Sequence, residues 1–189
     1  LSVRQVAQAV QLAHDIEAPT VVVVPGRRHP MVRLPVAGAR RVFLRSIEDL
    51  LPVAEGLGIR IAVENTAYGV MGTAPELVAL ADEFNGAIGL VYDSANAIVQ
   101  EDPAEGVRII AEHLVLAHIS DSPRTRWTHA RVGSGDVDFA RFAAALRDLG
   151  FKGTTVYELL EAKHPIAEMA EDLPQLATWG WSPATVPTP

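Results

Sequence analysis

Residues Gly58–Thr66 read GIRIAVENT, a stretch that passes from β-branched and apolar side chains to a polar end. Ile59–Val63 predicts a short buried strand, yet the next residue is Glu64. An unpaired carboxylate at the end of a buried strand is costly to desolvate. Either Glu64 is solvated where the strand ends, or a ligand meets it there. The ends of the other predicted strands distinguish these two interpretations.

Four further apolar runs alternate with amphipathic helical patterns. The other predicted strands are Thr20–Val24, Ile88–Tyr92, Leu114–Ile119 and Thr154–Tyr157. Helical spacing is predicted near residues 3–14, 42–57, 76–84, 103–113, 139–149 and 166–177. This alternation predicts an α/β fold of repeated βα units, with a parallel sheet covered on both faces. Right-handed crossovers leave two architectures, a doubly wound sheet or an arc of a (β/α) barrel.

The composition narrows the class of protein. A chain of 189 residues with 49% hydrophobic and 21% charged residues is typical of one globular domain. The absence of cysteine excludes disulfides and thiolate metal sites. A net charge of -7 repels a phosphate backbone, and no apolar run reaches the length of a membrane span. We therefore expect a cytoplasmic enzyme without nucleic-acid or membrane partners.

No linker divides the chain, so residues 1–181 are expected to form one domain, followed by a loose Pro- and Thr-rich tail at 182–189. The chain begins at Leu1 within a helical pattern, which suggests a fragment or a processed chain.

A carboxylate or an imidazole stands at the end of four of the five predicted strands. These residues are Glu64, Asp93, His118 and Glu158. The carboxyl edge of a parallel sheet is where ligands bind, and in a barrel the strand ends converge on one mouth. Oxygen and nitrogen ligands without sulfur suit Mn²⁺, Mg²⁺, Co²⁺ or Zn²⁺, and a dication would neutralise crowded carboxylates. One such residue is best explained as a solvated strand end, whereas four at equivalent places predict one metal site.

These residues lie in segments that carry a family resemblance. The segments are ENT (64–66), YDSAN (92–96), AHISD (117–121), THARVGSGDVDF (128–139) and VYELL (156–160). Together they resemble the xylose isomerase-like barrel superfamily of sugar phosphate isomerases and epimerases. The resemblance covers most of the chain and implies a (β/α)8 TIM barrel, of which this chain supplies only the last five βα units.

The resemblance also implies a chemistry. Glu64, Asp93, His118 and Glu158 would bind one divalent metal, and Glu64 and Glu158 would act as acid and base. The implied activity is a sugar or sugar phosphate isomerase or epimerase, in which a proton moves through an enediolate while the metal polarises the carbonyl. The expected partner is a small sugar or sugar phosphate, and a homo-oligomer is possible.

Three further residues are candidates for substrate binding. His129 matches a histidine near the metal or substrate in the family, with a solvated loop as the alternative. Arg124 could hold a substrate hydroxyl or phosphate, in competition with Arg126 or with simple solvation. Asn96 stands where many relatives have a histidine, and its amide can bind a hydroxyl but cannot carry a proton.

Loop residues around these candidates have structural interpretations. Asp121 is expected to cap a turn or to orient His118. Gly133 and Gly135 are expected to serve backbone geometry ahead of a helix that starts near Asp138.

Competing functions remain open at this point. An inosose-type dehydratase would use the same ligands. An AP-endonuclease-like phosphodiesterase would require extra histidines. The DNA-repair branch of the superfamily usually has a histidine before the Pro-Gly where this chain has VVPG (23–26), and an aspartate where it has Trp127. The cluster of basic residues Arg27, Arg28, His29 and Arg33 is best explained as a solvated loop. A phosphate-binding site is the second interpretation. A binding module on a degenerate barrel is the third alternative, and the intact Glu64 and Glu158 count against it.

Overall fold

The computed structural model describes residues 3–26 and 35–183. The strands are β1 (Thr20–Val23), β2 (Arg60–Glu64), β3 (Gly89–Asp93), β4 (Leu114–Ile119) and β5 (Thr154–Tyr157). The helices are α1 (Val3–Asp15), α2 (Val36–Gly56), α3 (Ala74–Glu83), α4 (Ser94–Ile98), α5 (Pro103–Ile109), α6 (Phe139–Asp148) and α7 (Pro165–Trp179), with a 3-10 turn at Ala111–His113. The five predicted strands are confirmed, with bounds shifted by at most one residue. Of the helices, only the short α4 was not predicted.

The strand order decides between the two predicted architectures. All pairs are parallel, and the order across the sheet is β1-β2-β3-β4-β5. When consecutive strands are neighbours throughout, right-handed crossovers place every connecting helix on the same face. A doubly wound sheet, with helices on both faces, requires the order to reverse, and it does not. The fold is therefore a partial (β/α) barrel, which confirms the architecture that the family resemblance implied.

The alternation of side chains along each strand separates a packed face from an inner face. In β2, Ile61 and Val63 belong to the hydrophobic core formed with the helices. Successive side chains of a strand point to opposite faces, so Glu64 lies on the inner, concave face. The same alternation in β3 places Leu90 and Tyr92 in the core and Asp93 on the concave face.

Strand register aligns the polar strand ends across this concave face. Asp93 of β3 is directly opposite His118 of β4. His118 in turn is opposite Val156 of β5, two residues before Glu158. Because the side-chain period of a strand is two, Glu158 follows on the same face as His118.

None of the helices within residues 3–26 and 35–183 combines the length and apolar character that a membrane span requires. The basic cluster Arg27, Arg28, His29 and Arg33 lies outside the described residues, as does most of the predicted tail.

Candidate metal and acid–base site

The carboxyl ends of four neighbouring strands bring potential metal ligands together. They are Glu64, Asp93, His118 and Glu158, each offering one ligand atom within 4.8 Å of the others. Nδ1 of His118 lies 3.3 Å from Oε1 of Glu64 and 3.3 Å from Oε2 of Glu158. The structure thus places the four predicted ligands in one cluster, whose binding of a metal remains a prediction.

The environment of Asp93 fits a bound cation. Asp93 is 0% exposed, and burial, followed by the charge of Glu64, raises the pKa of its carboxyl well above the usual value. Its Oδ2 is buried and has no hydrogen-bond partner within the part of the chain that the structure describes. An ordered water or a bound ion is a usual partner of such an oxygen. The donor set of carboxylates and one imidazole suits a divalent cation.

His118 lies between two carboxylates of the cluster. Burial opposes the charged imidazole, but the carboxylates of Glu158 and Glu64, each 3.3 Å from its Nδ1, outweigh burial and raise the pKa of His118 to about 10. The contact with His118 likewise lowers the pKa of Glu158, although burial acts in the opposite direction. Metal ligation needs a neutral imidazole, so a binding cation would displace this proton.

Two asparagines fix the strand ends that carry the ligands. The side chain of Asn65 donates to the carbonyl of Asp93 at 3.1 Å and accepts from its backbone N–H at 2.7 Å. The backbone N–H of Asn96 donates to Oδ1 of Asp93 at 2.6 Å, which caps α4. Neither this role of Asn65 nor the helix α4 was predicted from the sequence. A helix of five residues is too short to show a helical period. The only signal was the position of Asn65 beside Glu64.

The side chain of Asn96 contacts the cluster directly. Its Nδ2 donates to Oε1 of Glu64 at 3.2 Å and to the carbonyl of Asn65 at 3.0 Å. Its Oδ1 accepts from Nε1 of Trp127 at 2.6 Å. The substrate contact predicted for Asn96 stays a prediction, whereas its contact with Glu64 is a finding.

His129 lies beside the ligands and not in a solvated loop. It is 3% exposed, with Nε2 3.7 Å from Oδ1 of Asp93 and Nδ1 3.7 Å from Oε2 of Glu158. Its backbone carbonyl accepts from Leu160 and Glu161 just after β5. The alternative of a solvated loop histidine is therefore wrong, and the substrate contact of His129 stays a prediction.

Asp121 organises the loop that carries His129. Its carboxylate accepts backbone N–H groups of Ser122, Gly135 and Val137 at 2.8–3.1 Å. Among the hydrogen bonds of the described residues, none joins Asp121 to His118, so the turn-capping alternative is the one that the structure supports.

Glycine is required at one position of this loop. A Cβ on Gly135 would lie 2.5 Å from Oδ1 of Asp121 and 2.5 Å from the backbone of Ser122. Gly133 has a φ of +82°, a conformation that side chains disfavour. The helix that follows starts after Asp138, as predicted.

The two arginines of the loop lie at its surface. Arg124 and Arg126 are exposed, and the backbone N–H of Arg124 donates to Oδ2 of Asp136 at 2.7 Å. The structure does not bring the side chain of Arg124 into the ligand cluster, and a role in substrate binding remains a prediction.

Two curated relatives match the chain. It is 26% identical over 165 residues to an uncharacterised protein of Methanocaldococcus jannaschii, a match that covers 84% of this chain and 56% of that protein. It is 30% identical over 107 residues to the L-ribulose 3-epimerase of a Methylomonas species, covering 55% of this chain and 36% of the relative. The chain thus spans about half or less of the length of these relatives.

Solved structures share the fold at low sequence identity. A D-tagatose 3-epimerase-like protein superposes with a TM-score of 0.79 at 22% identity, covering 93% of this chain and 70% of that one. The 3-keto-D-glucoside 4-epimerase of E. coli gives a TM-score of 0.80 at 21% identity, with the same coverage. Residues 1–179 also match the family described as xylose isomerase-like TIM barrel. With βα units in barrel order and a family match over nearly its whole length, the chain belongs to the xylose isomerase-like TIM barrel family.

Proposed function

We propose that this chain forms the metal-binding part of a sugar epimerase, which inverts the carbon next to the carbonyl of a ketose or ketose phosphate. The observation that carries the proposal is the cluster of Glu64, Asp93, His118 and Glu158, with ligand atoms within 4.8 Å of one another. The names of the matched relatives, which include an L-ribulose 3-epimerase, support the substrate class.

The four clustered residues would hold one divalent metal ion. When bound, this ion would neutralise the carboxylates and polarise the substrate carbonyl. Mn²⁺, Mg²⁺, Co²⁺ and Zn²⁺ all suit this donor set.

Two glutamates of the cluster would move the proton. Glu64 approaches from β2 and Glu158 from β5. One carboxylate would remove the proton from the carbon next to the carbonyl, and the released electron pair would form an enediolate. The other glutamate, initially protonated, would return a proton to the opposite face. Such acid–base transfer contributes about 10²- to 10⁴-fold in rate.

The environments of the two glutamates differ in a way that suits this transfer of protons. Glu64 is buried and held by Asn96. The side chain of Glu158 is 36% exposed, so Glu158 can exchange its proton with solvent between turnovers. Each turnover would leave the two glutamates with reversed protonation, and this exchange would reset them.

The first test is the metal content of the full-length protein and its variants. We expect about one divalent ion per chain in the wild type, and its loss in Glu64→Gln and Glu158→Gln. Glu161→Gln is the matched control, because Glu161 is exposed and lies outside the cluster. Absence of metal in the wild type after loading with Mn²⁺, Co²⁺ or Zn²⁺ would contradict the proposal.

The second test is turnover of D-tagatose, D-psicose and L-ribulose with Mn²⁺ in D₂O. We expect epimers that carry deuterium at the inverted carbon, because the returned proton comes from a carboxyl in exchange with solvent. Glu64→Gln and Glu158→Gln should lose about 10²- to 10⁴-fold in kcat. A product that has lost water would favour the dehydratase alternative.

A further inference from the structure

Trp127 and Asn96 form a hydrogen-bonded chain that ends on Glu64. Nε1 of Trp127 donates to Oδ1 of Asn96 at 2.6 Å, and Nδ2 of Asn96 donates to Oε1 of Glu64 at 3.2 Å. Asn96 is buried, whereas Trp127 is partly exposed. These two hydrogen bonds therefore connect the loop between β4 and α6 to the end of β2.

The donor chemistry of the indole fixes the direction of this chain. An indole N–H can only donate, so the oxygen of the Asn96 amide must face Trp127. The amide NH₂ then faces the carboxylate of Glu64 and the carbonyl of Asn65, both of which only accept. The reverse amide orientation would place an oxygen against both acceptors. The backbone N–H of Ala67 also donates to this oxygen, but at 3.4 Å, so the short bond comes from Trp127.

We propose that Trp127 is a positioning residue for Glu64, acting through the side-chain amide of Asn96. The inference rests on the proposed acid–base and ligand role of Glu64. A terminal amide rotates easily about its last side-chain torsion, and an anchor at Oδ1 restricts that rotation. With Trp127 in place, Asn96 presents an N–H to the same oxygen of Glu64 that lies 3.3 Å from Nδ1 of His118.

The loop that carries Trp127 also carries His129, and the two side chains are in contact. The rings of Trp127 and His129 meet edge to face, with centroids 5.2 Å apart. Trp127→Phe keeps an aromatic ring at this contact and removes the indole N–H. This variant therefore tests the hydrogen bond separately from ring packing.

The test is a double-mutant cycle in the full-length protein, with Trp127→Phe, Asn96→Ala and the double variant. Each single variant should weaken Mn²⁺ binding and lower kcat on the ketose substrate about three- to tenfold, with KM nearly unchanged. Because Trp127 acts through Asn96, the double variant should be no worse than Asn96→Ala alone. Asn96→Asp should weaken Mn²⁺ binding and lower kcat more than Asn96→Ala does. Its carboxylate can still accept from Trp127, but it lies against the carboxylate of Glu64.

The matched control is Trp181→Phe, which removes the indole N–H of a partly buried tryptophan that packs against Phe139 and Phe142. It should leave Mn²⁺ affinity and kcat unchanged. Multiplicative losses in the double variant, or wild-type values in Trp127→Phe, would overturn the inference. If the wild type binds Mn²⁺ but turns over no ketose, the proposed function fails, while the Mn²⁺-affinity cycle still decides the role of Trp127.

Discussion

At the scale of single residues, Asp93 is a fully buried carboxyl whose cost in stability a bound cation would offset. Its carboxyl is fully buried and close to Glu64. Burial and the charge of Glu64 together raise the pKa of Asp93 well above the usual value. One oxygen caps α4 through the N–H of Asn96, and the other has no hydrogen-bond partner among the described residues. A buried carboxylate without full compensation costs stability and is typical of functional sites.

Asp93→Asn should separate these two effects. The amide oxygen can still accept from Asn96, but the buried charge is gone. We expect the metal-free variant to be at least as stable as the wild type. We also expect it to lose the stabilisation by Mn²⁺, which reaches about 2.7 kcal/mol at a hundredfold excess over Kd.

Thermal unfolding in EDTA and in Mn²⁺ measures both expectations for Asp93→Asn. Asp82→Asn, at an exposed position, serves as the control. A metal-free Asp93→Asn protein that melts well below the wild type would show that the carboxylate stabilises the fold.

At the scale of elements, Tyr157 of β5 joins the loop that carries His129 to α7. Its hydroxyl donates to Oδ2 of Asp172 at 2.6 Å and accepts from the backbone N–H of Val132 at 3.1 Å. Asp172 also pairs with Arg131 of the same loop. Burial and the hydrogen bond to Asp172 raise the pKa of Tyr157, so the hydroxyl stays protonated as a donor.

Tyr157→Phe should cost about 1–3 kcal/mol in the free energy of unfolding, because it leaves the N–H of Val132 and the carboxylate of Asp172 without this partner. Urea denaturation measures this loss of stability. Faster hydrogen exchange at the backbone N–H of Val132 would show that the loop is the part that is destabilised. Tyr68→Phe is the control, since Tyr68 is exposed. Equal stability of the Tyr157 and Tyr68 variants would contradict a structural role for the hydroxyl.

The start of α3 depends on an acid. The carboxylate of Glu76 accepts from the backbone N–H groups of Gly72 and Thr73 and from the hydroxyl of Thr73. Burial alone would raise the pKa of Glu76, but these hydrogen bonds outweigh it and lower the pKa. A lowered carboxyl pKa contributes stability above the unfolded-state pKa, and that stability disappears as the pH falls through the folded-state pKa.

Glu76→Ala should therefore destabilise the protein by about 0.5–2 kcal/mol at pH 7 and by less near pH 3. Chemical denaturation at both pH values measures the difference. Glu48→Ala, at an exposed position of α2, is the control. A cost for Glu76→Ala that is the same at both pH values would show that the carboxylate charge does not matter to the cap.

At the scale of the whole molecule, the five-stranded sheet formed by residues 3–26 and 35–183 has two edge strands, β1 and β5. A closed barrel has no edges, and unpaired edge groups pair readily with other chains. Apolar side chains are also exposed near both edges, with Val24 at 46% and Val156 at 39%. Strands added at these edges would stabilise the sheet.

We expect the 189-residue chain, produced by itself, to self-associate or to unfold at a low temperature. Sedimentation velocity and thermal unfolding measure these properties. A monomer that unfolds cooperatively at a high temperature would contradict the expectation.

The sequence by itself determined the repeating βα units and the proximity of the four polar residues at the strand ends. These features follow from local periodicity, and parallel strands always bring their carboxyl ends to the same edge. Four of the five segments that resemble the xylose isomerase-like family contain these strand-end residues, namely ENT, YDSAN, AHISD and VYELL. Bounds of the five strands were therefore predictable to within one residue.

Only the tertiary structure decided what depends on contacts between distant residues. Strand order, which excluded the doubly wound sheet, is a property of the whole sheet. The hydrogen bond between Asn96 and Trp127 joins residues that are 31 positions apart. The burial of His129 likewise depends on how its loop folds back over β5. Periodicity reports which face of its own element a residue occupies, whereas these partners are set by packing between elements that no local pattern records.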